Sequence, residues 1–405
     1  MHILIVTPHF WPENFRINDL AKGLNERGHK IAVLTVTPDY PSRKFYKSYG
    51  WFKKSRELWE NINIYRIPVI PRGKGKNWQL FLNYLTYVIS GCIYALVIKK
   101  NFDIIFVHET SPITIGIPAI VIKKISKIPI VFWVLDLWPE SVTAAGNLKS
   151  SLIPKLLMPM VRWIYKNSDK ILVSSRGFIS SIKEKGIPEE KIDYFPQWAE
   201  SIFKPIEHIP NDIDVVFPNG FKVLFAGNIG EAQDFESILS AAELLQEYKN
   251  IHWIILGDGR RYDFVKEQIK VRHLEDNFHL LGKFPLESMP AFYSKADALL
   301  LTLKKEYIFS ITVPAKLQSY LACGRPILTM LDGEGSTIVN NAKAGLICEA
   351  GDYHSLAKNV LYMYGLNKEE INKYCNNARQ YYLDNFDRNK LLTQIEKTLL
   401  SYISN

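Results

Sequence analysis

The sequence predicts an α/β protein built from two doubly wound, Rossmann-like domains. Short apolar runs alternate with helical segments along the chain, glycines follow several of those runs, and one Pro- and Asn-rich stretch divides the series. At 405 residues the chain is too long for one ordinary domain. Its 47% hydrophobic content is enough to bury a core, which excludes disordered and low-complexity classes.

The first half opens with a β–α–β unit. Residues 3–6 form a continuous apolar run, typical of a strand buried on both faces of a parallel sheet. Residues 18–27 have helical spacing and are followed by Gly28, and residues 31–36 read as the next strand. Right-handed parallel pairing is expected. The further strands predicted in this half are 104–107, 130–134 and 170–173.

A second alternating series follows a predicted linker at 204–220. The first domain is therefore placed at 1–203. The second contains a helix near 235–247 and six predicted strands at 222–226, 253–256, 278–281, 298–301, 326–329 and 345–347. Ligands in such sheets bind at the C-terminal ends of the strands, so a site between the two domains is expected.

Residues 78–98 are long and apolar enough for a transmembrane helix, with basic residues on both sides. Polar residues are scattered through the segment, and a strand follows closely. We therefore favour a long helix packed on the sheet with one face in the membrane interface, or equally an ordinary core helix.

Charge and cysteine content limit the classes of partner and compartment. The net charge is +12 over residues 1–203 and −3 over 204–405, so the basic surface belongs to the first domain. Such a surface attracts anionic lipid, nucleic acid or a phosphorylated ligand. The four cysteines are far apart and residues 1–10 do not resemble a signal peptide, which favours a reducing, cytoplasmic setting.

Candidate catalytic residues in the first half follow predicted strands. Asp136 follows 130–134, and Glu109, with His108 before it, ends the preceding strand. Asp136 is either catalytic or the cap of the next turn, and a lone histidine such as His108 is more often structural. Arg16, at the start of the first helix, is either a phosphate ligand or a solvated side chain.

The second half carries two glycine-bearing turns and one distinctive lysine. Gly227-Asn228 and Gly257-Asp258 follow successive strands, which modestly strengthens a nucleotide-site reading. Lys316 follows Pro314 near a predicted helix start, where the helix dipole disfavours a cation unless an anion is bound; the alternative is a tolerated surface lysine. Metalloprotease, serine-hydrolase, P-loop and protein-kinase signatures are absent from the sequence.

Six segments together resemble the family-4 glycosyltransferases of the B fold, and in particular the bacterial O-antigen and capsule N-acetyl-L-fucosamine transferases. The segments are PENFRINDLAKGLNERGHKIAVLT (12–35), TPDYP (37–41), VHETSPITIGIPA (107–119), VFWVLDLWPESV (131–142), FAGNIGEAQDF (225–235) and ITVPAKLQSYLACGRPIL (311–328).

This resemblance implies two Rossmann-like domains that face each other across a cleft. The first domain would bind the acceptor and lean on the membrane, and the second, at 204–379, would bind a nucleotide-sugar. A last helix at about 380–403, within a segment 380–405, would return to the first domain. The resemblance also implies a retaining reaction without a cofactor or metal ion. The acidic pair Asp212 and Asp214 falls in the predicted linker rather than at a strand end.

The chain departs from the family pattern at three places. Glu13, Asn14 and Phe15 replace the paired glycines of the first loop, and Leu135 replaces a histidine. Ile311 and Ser319 stand where the family has the two glutamates of its E-x7-E motif. Basic residues expected after the first strand of the second domain are also missing, which leaves Lys304 and Lys316 as the predicted diphosphate ligands.

The sequence therefore predicts a glycosyltransferase that uses a UDP-sugar and an undecaprenyl-diphosphate-linked saccharide at an anionic membrane surface. The alternatives are a UDP-sugar 2-epimerase of the same architecture and a non-catalytic membrane-surface protein. Dispersed Lys and Arg residues without a binding motif argue against nucleic acid. Asp136, Glu109, Lys304 and Lys316 are assigned to catalysis. The residues assigned to substrate binding are Asn14, Arg16, Gly227, Asn228, Gly257, Asp258, Lys283, Phe284 and Ser319.

Overall fold

A computed structural model describes residues 1–40, 43–73, 77–98, 101–142, 152–206 and 217–403. The chain divides into two compact units. Unit 1 comprises Met1–Pro196 and Asn389–Asn405, and unit 2 comprises Gln197–Arg388. The predicted class of two Rossmann-like α/β domains is confirmed, because each unit contains a largely parallel sheet flanked by helices.

Unit 1 is built on an eight-stranded sheet of order β3-β4-β2-β1-β5-β6-β7-β8, in which only β3 runs antiparallel to its neighbour. Its strands are β1 (His2–Val6), β2 (Lys30–Val36), β3 (Arg56–Trp59), β4 (Ile62–Ile67), β5 (Ile104–Glu109), β6 (Ile130–Val134), β7 (Lys170–Val173) and β8 (Ile192–Tyr194). All residues of the central strands β5 and β6 are buried, as continuous apolar runs in a parallel sheet require.

The helices of unit 1 pack on this sheet. They are α1 (Arg16–Glu26), α2 (Asn77–Val97), α3 (Gly116–Ser126), α4 (Leu152–Asn167) and α5 (Gly177–Glu184). Helix α2 approaches α3 closely at Gly91, where a Cβ atom would lie 2.5 Å from the Cγ atom of Pro118. Gly91 therefore fixes where the long apolar helix sits on the unit.

Unit 2 is built on a six-stranded parallel sheet of order β11-β10-β9-β12-β13-β14. Its strands are β9 (Phe221–Ala226), β10 (Ile251–Leu256), β11 (Phe278–Gly282), β12 (Ala298–Thr302), β13 (Ile327–Met330) and β14 (Gly345–Cys348). Successive side chains of β9 enter opposite cores: Leu224 packs in one cluster, and Val223 and Phe225 pack in the other. The alternation follows from the pleat, which sends neighbouring side chains to opposite faces.

Helices cover both faces of the second sheet. They are α6 (Phe235–Leu244), α7 (Tyr262–Val271), α8 (Met289–Lys295), α9 (Tyr307–Ser310), α10 (Lys316–Ala322), α11 (Glu334–Ala342), α12 (Tyr353–Tyr364) and α13 (Lys368–Asn385). A last helix, α14 (Arg388–Ser401), begins at the unit boundary, and most of it belongs to unit 1. Within unit 1, Glu396 of α14 is paired with Arg27 and His29 at 2.9 and 2.7 Å.

Two boundaries differ from the prediction. The units divide after Pro196 rather than after residue 203, and residues 207–216 of the expected linker lie outside the described residues. The expected last helix at 380–403 is instead two helices, which are separated at Phe386 and Asp387. Phe386 is buried, and the short polar residues Asn385 and Asp387 favour helix ends over helix interiors.

The structure distinguishes between the two interpretations of residues 78–98. Of the residues described, Trp78–Val97 is the one helix long and apolar enough to cross a membrane by length and composition, yet only 22% of its apolar window is buried. Phe81, Leu85, Ile89 and Ile93 are all exposed at a spacing of four residues, so they share one face. This pattern disfavours an ordinary core helix.

Candidate functional site

In unit 2, two glycine-bearing loops meet at the C-terminal ends of β9 and β10. Gly227 and Gly257 have φ angles of +141° and +140°, a region that favours glycine. A Cβ atom on Gly257 would lie 1.8 Å from the carbonyl oxygen of Gly227. The Ile229 N–H group donates to the carbonyl of Asp258 at 2.9 Å. Both loops are therefore held backbone against backbone.

Lys316 lies over the first of these loops. It is the first residue of α10, and its Nζ atom lies 3.8 Å from the centroid of the Phe225 ring and 3.2 Å from where a Cβ atom of Gly227 would be. The N–H group of Ala226 donates to the hydroxyl of Tyr320, one turn further along α10, which fixes the helix against the end of β9.

The ammonium group of Lys316 is buried without a hydrogen-bond partner among the described residues. Burial lowers the pKa of Lys316 to about 7, because desolvation disfavours the charged form. A buried amine with no acceptor, placed over a glycine turn, is suited to receive an anion. The surface-lysine alternative for Lys316 is wrong, since the side chain is buried.

Lys304 is placed differently from the prediction. Its side chain is 44% exposed, and its Nζ atom pairs with the Oε2 atom of Glu231 at 3.1 Å. Arg261 also approaches Glu231, at 3.4 Å. In this structure the Lys304 ammonium is therefore already partnered, and its role as a diphosphate ligand stays a prediction.

The other predicted residues of unit 2 fall into two groups. Asn228, Asp258 and Lys283 are exposed at strand ends. Ser319 is buried, and the Phe284 ring packs 4.6 Å from that of Phe292, so it belongs partly to the core. The structure thus brings Gly227, Gly257 and Lys316 together, while the substrate-binding roles of all these residues stay predictions.

In unit 1, Glu109 and Asp136 lie next to each other at the ends of β5 and β6. The backbone N–H of Asp136 approaches the Oε2 atom of Glu109 at 3.3 Å, and the Asp136 carboxylate accepts hydrogen bonds from Ser111, Ser141 and Trp138. Burial raises the pKa of Asp136, and burial followed by the Asp136 charge raises the pKa of Glu109 well above its usual range.

These contacts separate the two carboxyl groups by role. Glu109 is fully buried, so in this structure it does not present its carboxyl group to a ligand as the sequence predicted, and it supports Asp136 instead. Asp136 is only partly covered and is the carboxylate that remains accessible at this edge. His108 is neutral, because burial lowers its pKa to about 3, and it contacts Thr7 at 3.0 Å. This matches the structural reading of His108.

The first loop contains residues that the sequence analysis missed. Arg16 begins α1 and Asn14 is exposed, but neighbouring Glu13 is buried. Glu13 contacts the Nδ1 atom of His9 at 2.6 Å and accepts hydrogen bonds from the backbone N–H groups of Asp39 and Tyr40. A carboxylate in place of small glycines was the available signal. Its partners come from a distant loop, which the sequence does not reveal.

Sequence profiles of known families match both halves of the chain. The profile described as "Glycosyltransferase Family 4" matches residues 15–198, and that described as "Glycosyl transferases group 1" matches residues 213–381. The chain is a family-4 glycosyltransferase of the B fold. Among the described residues of this glycosyltransferase, no three His, Cys, Asp or Glu side chains are grouped to hold a metal ion.

Curated relatives carry the same class name. The glycosyltransferase is 31% identical over 241 residues to the probable glycosyltransferase WbjE of Pseudomonas aeruginosa, a match that spans 56% of this chain and 58% of that relative. It is 24% identical to the putative colanic acid biosynthesis glycosyl transferase WcaI of Escherichia coli K12, over 80% of this chain and 82% of the relative.

Solved structures share the fold. A glycosyltransferase from Rickettsia africae aligns with a TM-score of 0.74 at 16% identity, covering 100% of this chain and 99% of the other. HepE of Anabaena, solved in complex with UDP, aligns with a TM-score of 0.72 at 15% identity, covering 99% and 100%. At this identity the likeness concerns the fold alone.

Proposed function

We propose that the chain is a retaining, metal-independent glycosyltransferase that moves a sugar from a UDP-sugar to a lipid-linked saccharide. The donor sugar is N-acetyl-L-fucosamine or a similar N-acetylated deoxysugar, and the acceptor is carried on undecaprenyl diphosphate. The product belongs to O-antigen or capsule synthesis. The names of WcaI, a putative colanic acid enzyme, and of HepE bound to UDP support this class of product and donor.

The observation that carries the proposal is the buried, unpartnered ammonium group of Lys316 above Gly227. As the bond between the sugar and the diphosphate breaks, negative charge develops on the diphosphate oxygens. A cation already fixed at that place stabilises the charge without reorganising. Lys316 supplies the cation from α10, where the loop after β9 lacks basic residues.

Asp136 is the residue proposed to orient the acceptor. Its carboxylate is held by three donors at the end of β6, next to the buried Glu109. A carboxylate held this way aligns a sugar hydroxyl for attack, which lowers the entropic part of the barrier. Glu109 is a positioning residue in this account, and no covalent nucleophile is assigned.

The membrane contact is proposed for two exposed regions of unit 1. The first is the exposed apolar face of α2, which carries Phe81, Leu85, Ile89 and Ile93. The second is segment 43–56, with six Lys or Arg residues, five aromatic residues and no acidic residue. Within it, Trp51 and Phe52 are 51% and 84% exposed. Aromatic residues among cations are typical of a protein lying on an anionic bilayer. We place the enzyme on the inner face of the cytoplasmic membrane.

A transfer assay tests the proposed function. Purified protein is incubated with a panel of UDP-sugars, with and without undecaprenyl-diphosphate-linked saccharides, and the release of UDP is measured. We expect release that depends on both a donor and an acceptor. Interconversion of the free UDP-sugar without acceptor would instead support an epimerase. Inertness toward every donor would contradict the proposal.

A further inference from the structure

A pocket in unit 1 lies beside α2, at the ends of β1, β2 and β4. Its empty volume is about 290 Å³ including the open mouth, near the lower end of the range for ligand sites. This size suits one sugar ring better than an oligosaccharide. The lining residues that carry the argument are His9, Asp39, Arg72, Asn83, Tyr84 and Tyr87.

The floor of the pocket is set by the buried pair His9 and Glu13. Two backbone N–H groups donate to one Glu13 oxygen at 2.8 and 2.7 Å, and the other oxygen faces the Nδ1 atom of His9 at 2.6 Å. Nδ1 therefore carries the proton, and Nε2 is left as a hydrogen-bond acceptor. Phe15 stacks on the His9 ring with centroids 4.5 Å apart, which fixes its plane.

Arg72 lies against this acceptor. Its Nη2 atom is 3.3 Å from the Nε2 atom of His9, and its Nε–H group donates to Asn83 at 3.4 Å. Both partners are uncharged. Within the described ranges no carboxylate oxygen lies within 4 Å of the guanidinium, and Nη1 has no hydrogen-bond partner. Arg72 is thus oriented by neutral groups and retains donors for a ligand.

Asp39 places a hydrogen-bond acceptor beside these donors. Its Oδ2 atom accepts from the backbone N–H of Arg72 at 3.2 Å, and its side chain lines the pocket. Burial, the largest influence, raises the pKa of Asp39, while the Arg72 charge opposes that shift. An anionic ligand would meet this carboxylate, so the pocket favours a neutral molecule with both donors and acceptors.

Tyrosines of α2 complete the pocket and connect it to Asp136. The Tyr84 hydroxyl is hydrogen-bonded to Ser111, which also donates to Asp136. Tyr87 lines the pocket, and its buried hydroxyl has no partner in the described part of the chain. The pocket therefore ends next to the carboxylate proposed to orient the acceptor.

We propose that this pocket binds one neutral pyranose ring, with Arg72 and Asn83 donating to its hydroxyl oxygens and Asp39 accepting from its hydroxyl groups. The inference rests on the proposed function, in which this ring is the acceptor sugar. Asp39 and Arg72 read the hydroxyl pattern and determine acceptor specificity. Because the opposite face of α2 is apolar and exposed, a sugar on a lipid carrier reaches this pocket from the membrane side.

Ligand-observed NMR on the full chain tests the pocket. The probes are methyl glycosides of glucose, galactose, N-acetylglucosamine and N-acetylgalactosamine. The proteins are the wild type, Arg72→Gln, Asp39→Asn and the control Arg27→Gln, whose arginine is also half-buried but pairs with Glu396. At least one glycoside should bind the wild type and the control. Both pocket variants should bind it about tenfold or more weakly, the loss expected for a charge-assisted hydrogen bond.

UDP affinity, measured on the same four proteins, separates this inference from the proposed function. Equal UDP affinity in all four, with glycoside binding lost only in the pocket variants, supports both. Absence of UDP binding in the wild type would contradict the proposed function alone. Unchanged glycoside binding in Arg72→Gln and Asp39→Asn, or no glycoside binding to the wild type, would overturn the pocket assignment. Arg72-dependent binding of inorganic pyrophosphate instead would also overturn it, in favour of an anion site.

Discussion

The ammonium nitrogen of Lys316 lies 3.8 Å from the centroid of the Phe225 ring and has no hydrogen-bond acceptor among the described residues. The aromatic face offers the cation some stabilisation, but less than the water that it lost. A ligand that brings negative charge to this place restores the balance. The relationship between these two residues therefore connects the fold of unit 2 to its proposed donor.

The affinity for UDP should depend on pH through Lys316. With a pKa of about 7, the folded, ligand-free protein loses this proton as pH rises above 7. A diphosphate binds the protonated amine, so UDP affinity should fall by up to about tenfold per pH unit above pH 7. Isothermal titration calorimetry between pH 6 and 9 measures this fall. The same slope in Lys316→Met would show that another group is responsible.

The same pKa predicts a change in stability without ligand. The unfolded chain holds the Lys316 proton up to about pH 10.4, whereas the folded chain releases it from about pH 7. The unfolded state therefore binds more protons in this interval, and the contribution of Lys316 to the free energy of unfolding increases as pH rises through it. Denaturant titrations at several pH values, with Lys316→Met as the reference, measure this contribution. Equal pH dependence in the two proteins would contradict it.

Replacing Gly257 by alanine should damage the loop pair. The new Cβ atom would lie 1.8 Å from the Gly227 carbonyl oxygen, and a φ angle of +140° is unfavourable for alanine. We expect a loss of about 1–3 kcal/mol in the free energy of unfolding, with weaker UDP binding. Gly186→Ala is the control, because Gly186 also has a positive φ angle but no atom lies within 4 Å of its Cβ position. Equal effects of the two substitutions would show that the close approach is unimportant.

Binding to anionic vesicles should decrease as salt increases. The Debye length falls from about 10 Å at 0.1 M salt to about 3 Å at 1 M, which screens the basic surface of the first half of the chain. Phe81→Ser with Ile89→Ser should weaken the binding that remains, whereas Val271→Ser, an exposed apolar position in unit 2, should not. Vesicle co-sedimentation measures both effects. Salt-resistant retention that only detergent reverses would indicate insertion of α2 rather than surface binding.

Activity should survive the removal of divalent metal ions. In the proposed mechanism the cation at the diphosphate is the Lys316 ammonium group. Transfer rates measured with excess EDTA should therefore stay within about twofold of the untreated rate. Full loss of activity that a divalent ion restores would contradict the lysine mechanism, because the ion would then be the charge that stabilises the leaving group.

The sequence predicted the elements whose signals are local. Continuous apolar runs gave the central strands of both sheets, and the spacing around Lys316 placed it correctly at the start of α10. Strands β3, β4 and β8 were missed because β3 and β8 lie at the sheet edges and β4 mixes apolar and polar residues, so none has a long apolar run. The last helix was drawn through the break at Phe386 because the resemblance, and not the residues there, suggested it.

The parts of the site that depend on distant contacts were not predictable. His9, Asp39, Arg72 and Asn83 are separated by up to 74 positions and meet only because β1, β2 and β4 are neighbours in the sheet. Lys304 was predicted to be a diphosphate ligand, but folding also brings Glu231 within 3.1 Å of its amine. Charge pattern along a chain does not reveal such partners.

The most direct test of the central claim is the affinity for UDP and the turnover of Lys316→Met, compared with the wild type. Methionine keeps an aliphatic chain over Phe225 while removing the charge, so the variant should fold at least as stably. We predict turnover at least about 100-fold lower and clearly weaker UDP binding. The matched control, Lys305→Met, removes an exposed lysine paired with Glu349 and should retain both. Wild-type UDP affinity and turnover in Lys316→Met would contradict the account.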